Sequence, residues 1–548
     1  MPRTCHYMRR KRAAGAGVTG SRPDVAVSHE NATTEDPSIY DLDGGLRVTV
    51  ERTWQLEVPC TFNDEASLRF TAMLNPHNQC GPLFAEQVPV VTGEDFDSFM
   101  AAFNKRCNVT HHDDIEDEEL MQAFALINAI QCNFPAWDEN PDDRATWESK
   151  FDSSKVDRMR AAMQEIDQAT YRYLGTKDLS VKKEVLLKRN DPGWAARVIY
   201  AGNDAFNAMT GPAMMAVMQR LETLLSTNTI GGVRYCTAYK KTDTKLAEYI
   251  EQDNRSFPHV AEGDYSANDK HQRESVHLLF DAFLEKINMP KWLRNVFLEN
   301  NKFKVRSFKL GVQATLKNQL PTGTTATTPR NTLYNILMFS TSCIQQHVQG
   351  LALVLGDDLL ARTNRPINLQ EWKDTVSRFK MVLKAKSPRM RGGATFLSKR
   401  LITGVEHPCM VPLLGKALAR FNARAIYKEE QTHSQYMAGK SLSYAYEFRH
   451  VPFLRDFFLE RYIGEDNTKM TIDELSWNTK TSGVDLGNIV QSIKDEPVLI
   501  NDDDFLDWSM ETYDLGLVDL EEVFSMVVLS DEPAMVTHPA VHNLSIDW

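Results

Sequence analysis

No Lys or Arg occurs from Asp495 to Trp548, a stretch that carries 14 acidic residues. The formal net charge of −12 therefore belongs to the C-terminal end. Without that stretch, residues 1–494 hold 60 acids against 62 bases, a net charge of +2. A body this close to neutral cannot capture polyanions by overall charge, so an anionic partner has to be held by local basic clusters. The eight cysteines include no CxxC pair, which argues against a disulfide frame and for a reduced, intracellular protein. No apolar run approaches the ~20 residues that a membrane-spanning helix needs. Membrane association is then left to partners or to an N-terminal arm. A chain of 548 residues is too long for one simple core, and two or three subdomains are expected.

Met1–Arg22 has six bases and no acid around a Gly/Ala-rich middle. It reads as the start of a basic, largely disordered arm reaching about residue 45. A helix is predicted from Asp113 to Ile130, with acids crowding its first turns. Val181–Tyr200 interleaves Lys182, Lys183, Lys188, Arg189 and Arg197 with apolar residues and is broken by Asp191-Pro192-Gly193. Two strands around a loop are expected, with a basic face suited to triphosphates or a phosphate backbone. A solvated basic hairpin fits the same residues. A helix from Pro212 to Leu225 would place proline at a first helical position.

Ser256–Asp269 predicts a strand ending near Asp264, followed by a helix whose apolar face carries Val276, Leu279, Phe280, Phe283 and Ile287. Lys302–Lys309 alternates bases with apolar residues, the period of a strand with one basic face. In Leu320–Asn335, Gly323 marks a loop, and Thr328 would cap a helix whose first residue is Pro329. Leu351–Arg362 (LALVLGDDLLAR) reads as a tight hairpin with Asp357 and Asp358 at its tip. Two carboxylates there repel each other unless a cation sits between them, so a divalent metal site is the functional expectation and a plain surface turn the bland one. Beyond it, Asn368 and Glu371 form a capping box, Met381–Lys386 a strand with Lys384 and Lys386 on one face, and Thr395–Leu401 a further element. Residues from about 404 to 491 look mainly helical. In the acidic end, Phe505, Leu506, Trp508, Tyr513, Leu515 and Phe524 interrupt the acids. A solvated tail is expected, with a fold-back onto a basic channel as the alternative.

In this order, the stretches resemble the RNA-dependent RNA polymerases of RNA viruses over roughly Lys182–Leu401. Asp264 and Asp269 look like motif A, Thr322-Gly323-x3-Thr327-x3-Asn331-Thr332 like motif B, and Gly356-Asp357-Asp358 like motif C. Lys384/Lys386 lies where motif D places a lysine. Phe396–Arg400 resembles the motif E primer grip, and Lys182–Arg197 corresponds to motif F. Thr322 stands where Ser is commoner, which keeps a hydroxyl. The resemblance implies an α+β right-hand polymerase: fingers over 46–254 with an insertion at about 288–318, a palm of antiparallel sheet with helices over 255–403, a mostly helical thumb over 404–494, and the tail from 495. It implies Mg²⁺, with Mn²⁺ as a substitute, held by Asp264 and Asp357 with Asp358 secondary. Asp269 and Asn331, with Gly323 and Thr327, would read the ribose; Arg197 and Lys183 or Lys188 would hold the triphosphate; Lys386 or Lys384 would protonate pyrophosphate. The partners implied are template and nascent RNA, NTPs and viral or host replication proteins, in the host cytoplasm. A positive-strand lineage near the noda- and tombus-like polymerases is the expected source, with a double-stranded RNA virus as the alternative. A reverse transcriptase-like enzyme and an inactive palm-fold RNA-binding protein are the rival readings.

Overall fold

A computed structural model describes residues 38–42, 46–50 and 77–548, apart from short stretches at 94, 108–110, 112, 139–140, 165–173, 188–194, 300, 469, 472–473 and 477–485. It is a mixed α and β structure. Most of the N-terminal arm lies outside the described residues, as does Lys188. Ser38–Leu42, inside the segment read as arm, is a strand paired with Leu46–Val50.

The centre is a six-stranded sheet with order Leu383–Lys386, His259–Tyr265, Asp358–Thr363, Gly350–Leu355, Val233–Thr237, Thr229–Ile230. The expected all-antiparallel sheet is corrected in one place: Gly350–Leu355 runs parallel to Val233–Thr237, a strand that the sequence boundaries had placed in a different subdomain. The predicted hairpin is its middle. Leu351, Ala352, Leu353, Val354, Leu359, Leu360 and Ala361 are all buried. That near-continuous apolar run is what a strand covered on both faces requires. The helix Glu274–Lys286 packs Val276, Leu279, Phe280 and Phe283 into the same core, as its periodicity predicts. Asn368 caps Leu369–Arg378 through the Gln370 and Glu371 amides, and Glu371 bonds the Asn368 side chain.

A second sheet has the order Ser38–Leu42, Leu46–Val50, Val312–Lys317, Lys302–Ser307, Thr176–Val181, Val198–Gly202, drawing strands from both before and after His259–Tyr265 in sequence. The two strands expected around the Asp191 loop do not pair with each other. Val198–Gly202 pairs with Thr176–Val181, and Val185–Leu186 pairs with Val90–Val91. Short apolar runs specify strands but not partners. In Lys302–Ser307 the bases face out while Phe303 and Val305 are buried.

Two helix starts differ from expectation. The helix around Pro212 spans Asp204–Thr227, capped by Asn203, whose Oδ1 accepts from Phe206 N at 2.7 Å. Pro212 thus sits in its interior, where it cannot donate to the Ala208 carbonyl. Arg144 Nη1 donates to that carbonyl instead, at 3.3 Å. The later helix begins at Thr327, one residue before the expected cap Thr328.

The acidic end is corrected most. Residues 486–548 fold into short helices, Asp502–Tyr513 and Leu517–Phe524 among them. Phe505, Trp508, Leu515 and Phe524 enter one core with Phe421, Leu442, Phe448 and Phe458 of the preceding helices. Each such burial contributes roughly 1.5–3 kcal/mol of gross transfer free energy, and the aromatic residues outweigh the charge run. Met535–Val536 also pairs in parallel with Leu83–Phe84, a strand more than 400 residues earlier in the chain.

Candidate functional site

The acidic turn is set by Gly356 at φ +62, a left-handed conformation that glycine adopts without penalty. With Leu355 opposite Asp358, Gly356 and Asp357 form a two-residue turn. The helix Thr327–Gln345 holds that turn from behind. Gly356 N donates to Thr332 Oγ1 at 2.8 Å, and Asn335 Nδ2 donates to the carbonyls of Gly356 and Asp358 at 3.2 and 3.3 Å. Tyr265 Oη donates to Asn335 Oδ1 at 3.1 Å, which ties the strand of Asp264 to the same helix.

The ladder that pairs Gly263 with Leu359 brings Asp264 level with Asp358. On its other side Asp264 is registered against Lys384. Asp264, Asp357 and Lys384 line a cleft of about 400 Å³ together with Arg106, Arg197, Asp269, Thr322, Thr327 and Asn331. These side chains come from six separate stretches of sequence.

Electrostatics in the cleft favour a cation. Burial pushes the Asp357 carboxyl up to about 6, with Asp264 and Asp269 adding repulsion. Burial, then Asp357 and Asp264, pushes Asp358 up to about 7. Asp264 is raised by burial and eased by Lys384. Asp358 turns away from the cleft: its Oδ2 accepts from Leu397 N at 3.0 Å. Leu397 and Ser398 occupy φ +51 and +59 at the tip of the Thr395–Phe396/Lys399–Ile402 hairpin, a conformation costly for residues with side chains. The bond to Asp358, and Leu413 N donating to Ser398 O at 3.2 Å, hold it there.

Among the described residues, no three His, Cys, Asp or Glu side chains converge as a ready-made metal cage. Asp264 and Asp357 nevertheless fit a hard divalent cation, being mutually repelling oxygen donors that line an open cleft. Mg²⁺ is commonly held by one or two carboxylates, with water and substrate phosphates completing its shell.

The other half of the cleft is a hydrogen-bonded array. Asp269 Oδ2 accepts from Thr322 Oγ1, and its Oδ1 accepts from Asn331 Nδ2 at 2.9 Å. Asn331 Oδ1 accepts from Gln272 Nε2 at 2.6 Å. Burial raises the Asp269 carboxyl, and these two donors oppose the rise. Gly323, at φ +92, lets the loop lie close against Ile199 while Tyr200 N donates to Thr322 O at 3.0 Å.

The chain matches the family described as RNA dependent RNA polymerase over residues 60–470. It belongs to that family. It is therefore an RNA-directed RNA polymerase, a nucleotidyltransferase. No curated protein matches the chain.

Of the residues singled out for this polymerase, Asp264, Asp269, Asp357, Asn331, Thr327 and Arg197 share the cleft. Lys183 is exposed and is not among the residues lining it. Of the two lysines, Lys384 lines the cleft while Lys386 Nζ lies 2.7 Å from Glu262 Oε2. Two residues escaped the sequence reading. Arg106, from the helix Phe96–Cys107, carries no local signal that would place it beside Arg197. Glu184 pairs with Arg197, its Oε1 accepting from Nε at 2.7 Å, and as an acid set directly after Lys182-Lys183 in a basic stretch it was visible.

Proposed function

We propose that this polymerase copies a viral RNA genome by two-metal nucleotidyl transfer, with the central sheet as palm, the second sheet as fingers and the C-terminal helical unit as thumb. The observation that carries the reading is the meeting, in one cleft, of the two mutually repelling aspartates Asp264 and Asp357, an Asp269–Asn331 polar array and the cations Arg197, Arg106 and Lys384. Divalent ions at Asp264 and Asp357, Mg²⁺ or Mn²⁺, would supply activation of the RNA 3′-hydroxyl and neutralisation of charge as it attacks the α-phosphate. Asp358 is accessory, anchoring the Leu397 hairpin. Asp269 and Asn331 receive the ribose, offering acceptor and donor to its 2′-hydroxyl. Arg197, aimed by Glu184, and Arg106 hold the triphosphate. Lys384, beside Asp264, gives a proton to the leaving pyrophosphate.

We place the enzyme in a cytoplasmic replication complex of a positive-strand RNA virus, with template, nascent RNA and NTPs as ligands. Among the described residues no helix is long and apolar enough to cross a membrane, and attachment is assigned to replication partners or the N-terminal arm. Template-directed extension by the wild type and by Asp357→Ala tests the proposal. Extension that needs Mg²⁺ or Mn²⁺ and disappears in the variant supports it; an active Asp357→Ala enzyme overturns the metal assignment.

A further inference from the structure

A second cavity, of about 30 Å³, lies on the other side of the Thr322–Gly323 loop from the cleft. Leu320 lines both spaces, and Pro321 and Thr324 line the cavity while Thr322 faces the cleft. Its remaining polar walls are Lys177, His277, Asp281, Arg294 and Arg330.

Charge in these walls does not balance. Arg294 is matched, with Nη1 at 2.8 Å from Asp281 and Nη2 at 2.9 Å from Glu285. Arg330, 4% exposed, donates from Nη1 to His277 Nδ1 at 2.7 Å, and its Nε and Nη2 have no hydrogen-bond partner among the described residues. Asp269 is the carboxylate that acts on Arg330 electrostatically, but both its oxygens are engaged by Thr322 and Asn331. Lys177, 1% exposed, has the Leu174 carbonyl at 3.4 Å and the Phe206 ring centroid at 3.4 Å. Neither residue forms an ion pair among the described residues. Arginine keeps its proton in a protein, and a buried cation without a partner is strongly disfavoured. Burial drives Lys177 down to about 7, and it drives Arg330 down to about 9 against the opposing influence of Asp269 and Tyr334.

We propose that this cavity is a binding site for one small monovalent anion of halide size, held between Lys177 and Arg330 and bracing the Leu320–Ala326 loop from behind. The volume admits a monatomic ion or two to three waters. Because the loop's other side carries Thr322, which donates to Asp269, an anion in the cavity steadies the ribose-reading array. Halide then raises NTP affinity as well as stability.

The test uses the full chain in sodium bromide and in sodium gluconate at equal ionic strength, with Lys177→Met as the variant. Crystals grown in bromide are expected to show an anomalous peak between Lys177 and Arg330. The melting temperature should be about 2 °C higher in bromide, and the KM for NTP about threefold lower. Lys177→Met should lose the peak and both differences. No peak together with equal melting temperatures in the two salts would mean water only, and would overturn the site. A peak or an anion-dependent shift that persists in Lys177→Met would overturn it equally. Because the peak and the melting temperature do not depend on catalysis, both remain readable even if Asp357 proves dispensable.

Discussion

Asp547 is buried against Arg400, its Oδ1 accepting from Arg400 Nη2 at 2.6 Å. Its Oδ2 accepts from Gly415 N at 2.8 Å and from Tyr513 Oη at 3.0 Å. The last turn of the acidic end thereby fastens the strand Lys399–Ile402, whose hairpin tip holds Asp358. Asp547→Ala leaves the Arg400 guanidinium without its counter-charge. Denaturant unfolding should show a loss of about 3–5 kcal/mol, and Asp547→Asn, which removes the same charge and sets an amide NH₂ among donors, should lose a comparable amount.

The cleft carboxylates exchange stability for function. Asp357→Asn removes a charge that Asp264 and Asp358 repel. Without metal, the variant should melt at or above the wild-type temperature while extension falls by more than about a hundredfold. Mg²⁺ should raise the melting temperature of the wild type and leave that of the variant nearly unmoved. A variant that melts lower in metal-free buffer would contradict the repulsion.

The Asp269–Asn331 pair predicts sugar discrimination. Asn331→Leu keeps approximate volume and removes the donor to Asp269. The preference for NTP over dNTP, as the ratio of kcat/KM values, should narrow by about 10–100-fold, the effect of one or two lost charge-assisted hydrogen bonds.

Lys384 and Lys386 share one strand face but not one environment. Lys384→Met should slow single-turnover incorporation by about 10²–10³-fold, whereas Lys386→Met, which breaks an ion pair with Glu262, should stay within a few-fold. The opposite order would assign proton donation to Lys386.

Lys440 provides a pH signature remote from the cleft. Its Nζ is buried, donating to the carbonyls of Arg420 and Ala423 at 2.7 and 2.6 Å, and burial lowers it to about 7. Below pH 7 both folded and unfolded chains hold the proton, and the folded state bears the full desolvation cost. Between about 7 and 10.5 the unfolded chain alone keeps it, so stability rises with pH. Between pH 7 and 9 the wild type should gain about 2 kcal/mol more than Lys440→Met, measured by denaturant unfolding at both values.

The hairpin Leu351–Arg362, the strand before Asp264 and the helix after it were legible because their signals are local: an apolar run, a glycine turn, a 3.6-residue stripe. Asp264 and Asp357 could be named from the strand end and the glycine turn, whereas Asp269 and Asn331 were named through the resemblance to polymerase motifs A and B. Pairing partners were not legible. Val198–Gly202 could have joined several strands, and only packing selects Thr176–Val181. Arg106 reaches the cleft through the fold, from 91 positions before Arg197. The acidic end was misread because charge per residue says nothing about whether Phe505, Trp508 and Phe524 meet a complementary face. The helices at 433–464 supply that face, and a long-range contact of this kind leaves no periodic trace in either segment.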